Sequence, residues 1–163
     1  MYKKILSLLL IIFLASSISS PILASSDIVL PPQRVNPDSV FYPIKRFYEK
    51  ARAKLYFSDL GKAKYHFRLL EKRLSEMEYL SDNKFLDPLE SASQRVSYEA
   101  GRATELLVAS EQDEETKEKF KGTFDRLIKY LPEIRDRYAA NTSYWLLTQQ
   151  NIDTLSILRI RLE

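Results

Sequence analysis

The chain has 163 residues, 29% of them charged and 45% hydrophobic, with a formal net charge of +3. It contains no cysteine and a single histidine. That excludes disulfides, lipid attachment through a cysteine, histidine-pair metal sites and paired Glu-x-x-His di-iron sites.

Lys3 and Lys4 precede an apolar run from Ile5 to Leu14 broken only by Ser7, and a serine-rich stretch closes on Ile22-Leu23-Ala24. This is the layout of a secretory signal over residues 1–24, cleaved after Ala24 or retained as an anchor. The run falls short of the roughly 20 apolar residues that a comfortable membrane span requires. The expected setting is extracytoplasmic: secreted, periplasmic, or membrane-associated through the N-terminus. Cleavage of 24 of the 163 residues leaves 139, enough for one apolar core, and lowers the formal charge to +1.

Residues 25–41, with Pro31-Pro32 and Pro37, read as an extended linker because proline resists helix and restrains its predecessor. Residues 42–163 read as one all-α domain. A first short helix begins near Pro43, whose missing N–H costs nothing in a first turn. Ile44, Phe47, Tyr48, Ala51 and Leu55 recur along it at helical spacing. Ser58 caps a second helix running to about Leu80, with the seam Ala63, Phe67, Leu70, Leu74 and Met77. After the turn Ser81-Asp82-Asn83, Asp87-Pro88-Leu89-Glu90 presents an N-cap aspartate, a proline at N1 and a glutamate at N3.

The seam of that third helix is Leu89, Ala92, Val96, Ala100, Ala103 and Leu107, rich in small residues that admit a close neighbour. Ser110 and the acidic group Glu111, Asp113, Glu114 and Glu115 mark a fourth start, since negative side chains suit the positive end of a helix dipole. Its seam, Phe120, Phe124, Leu127, Leu131, Ile134 and Tyr138, passes Pro132, where the helix is expected to kink or restart. Asn141-Thr142-Ser143 matches a glycosylation sequon and reads as a break and cap. Tyr144 to Leu162 then forms the last helix, with Trp145, Ile152, Leu155 and Leu158 expected inside. Short turns make consecutive helices antiparallel, so the expected architecture is a small antiparallel bundle of four to five helices.

Charge is segregated: Phe41 to Arg73 holds ten basic and three acidic residues, and Leu74 to Lys119 five basic and twelve acidic. Folded side by side, such segments attract each other. The basic face, with Lys45, Arg46, Lys50, Arg52, Lys54, Lys62, Lys64 and Arg68 near Phe41, Tyr48, Tyr56 and Phe57, therefore has two readings. It is a solvated face paired with the acidic third helix, or a surface for lipid head groups and cell-wall polyanions. Nucleic acid is not an expected partner for an exported chain.

His66 flanks the second seam and reads as a boundary residue donating to a carboxylate or carbonyl, or as a pH-responsive group. Lys45, Arg46, Arg73 and Glu76, with Glu49, read as a polar clasp between the first two helices, with surface pairs worth about 1 kcal/mol or less. No nucleophile, acid pair in a defined cleft, or phosphate loop is recognisable, so no catalytic, cofactor or metal residue is assigned. Leu147-Thr148-Gln149-Gln150-Asn151 resembles the Leu-Thr-x-x-Gln motif of envelope stress chaperones, but carries Asn151 in place of the final glutamine.

Asp38-Ser39, then Phe41-Tyr42-Pro43-Ile44-Lys45-Arg46 and Glu49, Lys62-Ala63 with His66, and Arg73-Leu74 with Glu76 together resemble a bacterial domain-of-unknown-function family, number 5667. The resemblance is specific from about Asn36 to Leu80. It implies an exported or membrane-tethered helical domain and adds no catalytic residue; Tyr42, Lys45, Arg46, His66, Arg73 and Glu76 are its structural or binding candidates. The expected function is a non-enzymatic interaction module at the cell envelope, with an envelope protein as partner. The alternative is binding of anionic lipid or cell-wall polymer through the basic-aromatic first hairpin.

Overall fold

The computed structural model describes residues 28–163 and contains five helices. The expected signal or anchor over residues 1–24 lies outside the described residues. The helices are α1 (Tyr42–Ala53), α2 (Asp59–Asp82), α3 (Leu89–Ala109), α4 (Glu114–Arg135) and α5 (Ser143–Ile160). Among the described residues there is no strand, and no helix is long and apolar enough to cross a membrane.

Helices α2 to α5 form two antiparallel hairpins lying side by side. Within the first, His66 pairs with Glu99 and, further along α2, Met77 meets Asn151 and through it Ser93. Within the second, Arg135 meets Gln149 and Asp125 meets Arg159. Across the hairpins α2 runs parallel to α4, since Phe67 stacks on Phe120 and Tyr130 donates to Glu78. Likewise α3 runs parallel to α5, with Ser93 donating to the Leu147 carbonyl and Ser97 to Asn151.

The seams read from spacing fill the centre. Leu70, Leu74, Met77, Leu89, Val96, Ala100, Ala103, Phe124, Leu127, Leu131 and Ile134 are all buried. Starts and stops follow local chemistry. Ser58 accepts from the Gly61 amide, Asp113 from Thr116 and Thr142 from Trp145, each satisfying a first-turn donor that has no helical partner. Helix α2 ends in a Schellman arrangement with Lys84 at φ 56°: Phe85 N–H reaches the Leu80 carbonyl and Lys84 N–H that of Ser81.

Three expectations are corrected. Asp87 does not cap α3: the helix opens after Pro88 with no side-chain cap bond, through a turn closed by Leu89 N–H on the Leu86 carbonyl. Glu90 is instead engaged with Gln94 one turn ahead. In α4 the helix continues through Pro132 without restarting and ends at Arg135, so Tyr138, expected in its seam, lies in the following turn. In α5, Trp145, Ile152 and Leu158 are only half-buried, whereas Thr148 and Asn151 are fully inside. Asn151 is hydrogen-bonded there, donating to Ser93 and accepting from Ser97, so polar contacts replace apolar packing on that side.

Helix α1 is attached differently from the others. The apolar residues that recur along it at helical spacing do not pack inward: Ile44 is 66% exposed, Phe47 75% and Tyr48 62%. The side facing the bundle carries Tyr42, Lys45, Arg46 and Glu49, and only Tyr42 and Glu49 are buried. Helix α1 is therefore attached through its polar side and turns its apolar side to solvent.

Candidate functional site: a buried charge cluster under the first helix

Arg73 organises the site. It lies on α2 with 0% exposure, and its two terminal nitrogens are bound to Glu76, at 2.5 Å, and to Glu49 of α1. Burial alone pulls the guanidinium pKa down, but the Glu76 and Glu49 carboxylates outweigh it and hold Arg73 above its ordinary value. Its Nε has no hydrogen bond, with Glu99 Oε1 4.0 Å away.

Three carboxylates from three helices surround it. Glu76 accepts from Tyr42 at 2.7 Å and from Lys45 at 2.8 Å. Glu49 accepts from Arg46 at 3.3 Å and has the Lys72 ammonium 3.7 Å from its other oxygen. Glu99 of α3 accepts from His66 Nδ1 at 2.7 Å and faces Arg46 at 3.9 Å. Each carboxylate thus has at least two cationic neighbours, the condition under which buried charge is tolerated.

Two tyrosines complete the joint. Tyr42 donates to Glu76, accepts from Arg95 of α3 at 3.0 Å and has the Arg95 guanidinium 5.4 Å from its ring centre. Burial, reinforced by the Glu76 carboxylate, pushes the Tyr42 phenol up to about 12, so it stays a donor at any physiological pH. Tyr65 of α2 donates to the Glu49 carbonyl at 3.0 Å. Lys45 also reaches back to Gln33 and to the Val35 carbonyl, which fastens the preceding segment to α1.

All six candidates from the sequence, Tyr42, Lys45, Arg46, His66, Arg73 and Glu76, meet in this cluster. Glu49 also takes the place foreseen for it. The clasp is not the set of surface pairs expected from its composition, because Arg73, Glu49, Glu76 and Glu99 are all buried. Sequence reading missed Glu99 and Arg95, which come from the third helix. A signal existed: on a helical wheel Glu99 falls beside Ala92 within the buried stripe of α3, and Arg73 between Met77 and Leu80 in that of α2.

A cleft of about 1000 Å³ opens beside the cluster, between α1, α2 and α3. Among the described residues, the pairing of basic and acidic segments is realised only at the cluster. Among the described residues Lys50, Lys54 and Lys64 have no carboxylate partner within ion-pair distance. No group of three or more His, Cys, Asp or Glu side chains among the described residues is disposed to hold a metal ion.

A family model described as Domain of unknown function (DUF5667) matches residues 34–129, more than half of the chain. The chain belongs to the DUF5667 family. The matched region runs from the segment before α1 into α4, and contains every member of the charge cluster but not α5. The DUF5667 domain therefore includes α1 and its polar joint with α2 and α3. No curated protein and no solved structure matches the chain.

Proposed function

We propose that this protein is an exported, non-catalytic interaction module of the cell envelope that docks on an anionic membrane surface through α1. The observation that carries the reading is the reversed attachment of α1, with charges inward and Ile44, Phe47, Tyr48 and Leu55 outward. A helix with an apolar face flanked by Lys and Arg lies in the membrane interface, and its binding grows with apolar area and with attraction to anionic lipid. Exposed Lys50, Arg52 and Lys54 flank that stripe, and exposed Val40, Phe41 and Phe57 extend it at both ends. The N-terminal apolar run, if retained, would hold the domain at the same surface. The buried carboxylates are neutralised by cations and the single histidine is spent on Glu99, which supports a binding rather than a catalytic role.

Vesicle co-sedimentation of the full-length protein tests this, comparing anionic phosphatidylglycerol with neutral phosphatidylcholine at low and high salt. The parent should prefer anionic vesicles, lose affinity with salt, and lose most of its α1-dependent binding in the Ile44→Ser, Phe47→Ser double variant. Equal binding by parent and variant, or no preference for anionic lipid, overturns the proposal. One observation favours an envelope protein as partner instead. Leu146, Ile157 and Ile160 of α5 are exposed along one face, and a discrete partner kept at high salt and lost on Ile157→Glu would support it.

A further inference from the structure

The cleft between α1, α2 and α3 is a second feature of the same joint, and its charge is unbalanced. Six permanently cationic side chains line it, Arg46, Lys50, Lys54, Lys62, Arg95 and Arg102, against the two carboxylates Glu49 and Glu99. Both carboxylates lie on its floor and are already bound to Arg73, Arg46 or His66. Lys62 and Arg102 each bridge an exposed neighbour on their own helix, Asp59 and Glu105. Lys50, Lys54 and Arg95 have no carboxylate partner among the described residues.

Arg95 is the most informative of these. It is half-buried and held in place by a hydrogen bond to the Tyr42 hydroxyl and by the face of the Tyr42 ring, with no anion neutralising it. A guanidinium oriented by neutral groups is a prepared anion receptor, because its planar fork is already fixed and its charge is unspent. Leu69, Leu106 and Tyr98 supply apolar and aromatic wall between the cations. The volume is in the range that holds a small organic ligand, and such sites combine apolar wall with a few converging polar groups.

We propose that this cleft binds a phosphate-bearing anion, drawn by the unbalanced cations along it, Arg95 and Arg102 from α3, Lys50 from α1 and Lys54 just past its end. The group would come either from a phospholipid head group or from a soluble polyol phosphate of the cell-wall polymer type. Several cations from two helices suit a group of more than one negative charge better than a lone carboxylate. The cleft lies beside the polar flank of α1, not on its apolar face, so phosphate recognition and membrane docking are separable.

Isothermal titration of the full-length protein in non-ionic detergent tests this with two probes, glycerol 3-phosphate and monomeric short-chain phosphatidylglycerol. The Lys54→Glu, Arg102→Glu variant should lose about tenfold or more in affinity, the scale on which a converging charged cleft concentrates its counter-ion. A charge-matched control, Lys119→Glu with Lys129→Glu on α4, should bind as the parent does, and circular dichroism should show all variants folded. Binding of glycerol 3-phosphate supports a soluble source, and binding of the lipid probe alone supports a head group. The Ile44→Ser, Phe47→Ser variant should bind glycerol 3-phosphate unchanged, so failure of the membrane reading leaves this result standing. No saturable binding of either probe at millimolar concentration, or equal weakening by the control, overturns the proposal.

Discussion

Replacing Arg73 by methionine keeps most of the side-chain volume and removes only the charge and its donors. Glu49, Glu76 and Glu99 would then be left in a buried site without their shared cation. Breaking a buried ion pair by removing one partner costs about 3–5 kcal/mol, since the remaining charge keeps its desolvation penalty. Lys45 at 2.8 Å from Glu76 and Arg46 at 3.3 Å from Glu49 remain and compensate in part. The expected loss is therefore about 3 kcal/mol, or roughly 10 °C in Tm for a domain of this size. Acid should shrink the loss. Protonating a stranded carboxylate removes its charge, so the folded variant takes up protons that the unfolded chain does not, and its stability rises as pH falls. Adding Glu49→Gln and Glu76→Gln should recover part of the loss at neutral pH by removing the stranded charges. Urea unfolding at about pH 7 and about pH 5 measures both effects. A neutral-pH loss under about 1 kcal/mol, unchanged by acid, would mean that the cluster behaves as solvated surface pairs and would refute the argument.

Lys84→Gly should stabilise the protein by about 0.5–1 kcal/mol in thermal unfolding, because Lys84 holds a positive φ of 56° at the end of α2 and glycine adopts that conformation without Cβ strain. Stability should fall as pH rises from 10 toward 12, since the Tyr42 phenol is lifted from 10.0 to about 12 in the folded state while the unfolded chain ionises earlier. Tyr42→Phe should flatten that part of an alkaline unfolding curve; an unchanged slope would place the transition elsewhere. Asn151→Leu should cost about 1–3 kcal/mol by chemical denaturation, because it removes the donor to the buried Ser93 hydroxyl, which keeps only its bond to the Leu147 carbonyl, and the acceptor of Ser97. In contrast, Ile44→Ser with Phe47→Ser should change stability by about 0.5 kcal/mol or less, as expected for side chains that touch little of the fold.

The seams of α2, α3 and α4 were legible because their apolar residues recur every three or four positions. Periodicity identified α1 as a helix too, and the clasp residues Lys45, Arg46 and Glu49 marked its inner side, although its apolar stripe alone points the other way. A spacing argument orients a helix by its apolar stripe, and it fails when a charge cluster on the neighbouring helix supplies a stronger partner. In α5 apolar residues occur on every side, so no stripe could reveal that Thr148 and Asn151 point inward. At the start of α3 the letters of a capping box were present, yet Pro88 stands outside the helix and Glu90 is bound to Gln94. The candidate site was legible over α1 and α2, from Tyr42 to Glu76, where short motifs carry its members. Glu99 and Arg95 escaped because they stand on α3, beyond those motifs, and Glu99 is signalled only as a charge standing in an apolar stripe.

The polar grip on α1 also sets how its attachment responds to heat. Burial of apolar surface dominates the heat capacity of unfolding and weakens on cooling, but α1 contributes little such surface to the bundle. Its hold depends on ion pairs whose desolvation penalty falls as temperature rises. On warming, the joint between α1 and the rest should therefore tighten relative to the core beneath it. The heat-capacity change of unfolding would therefore report the four-helix body and carry little from the release of α1.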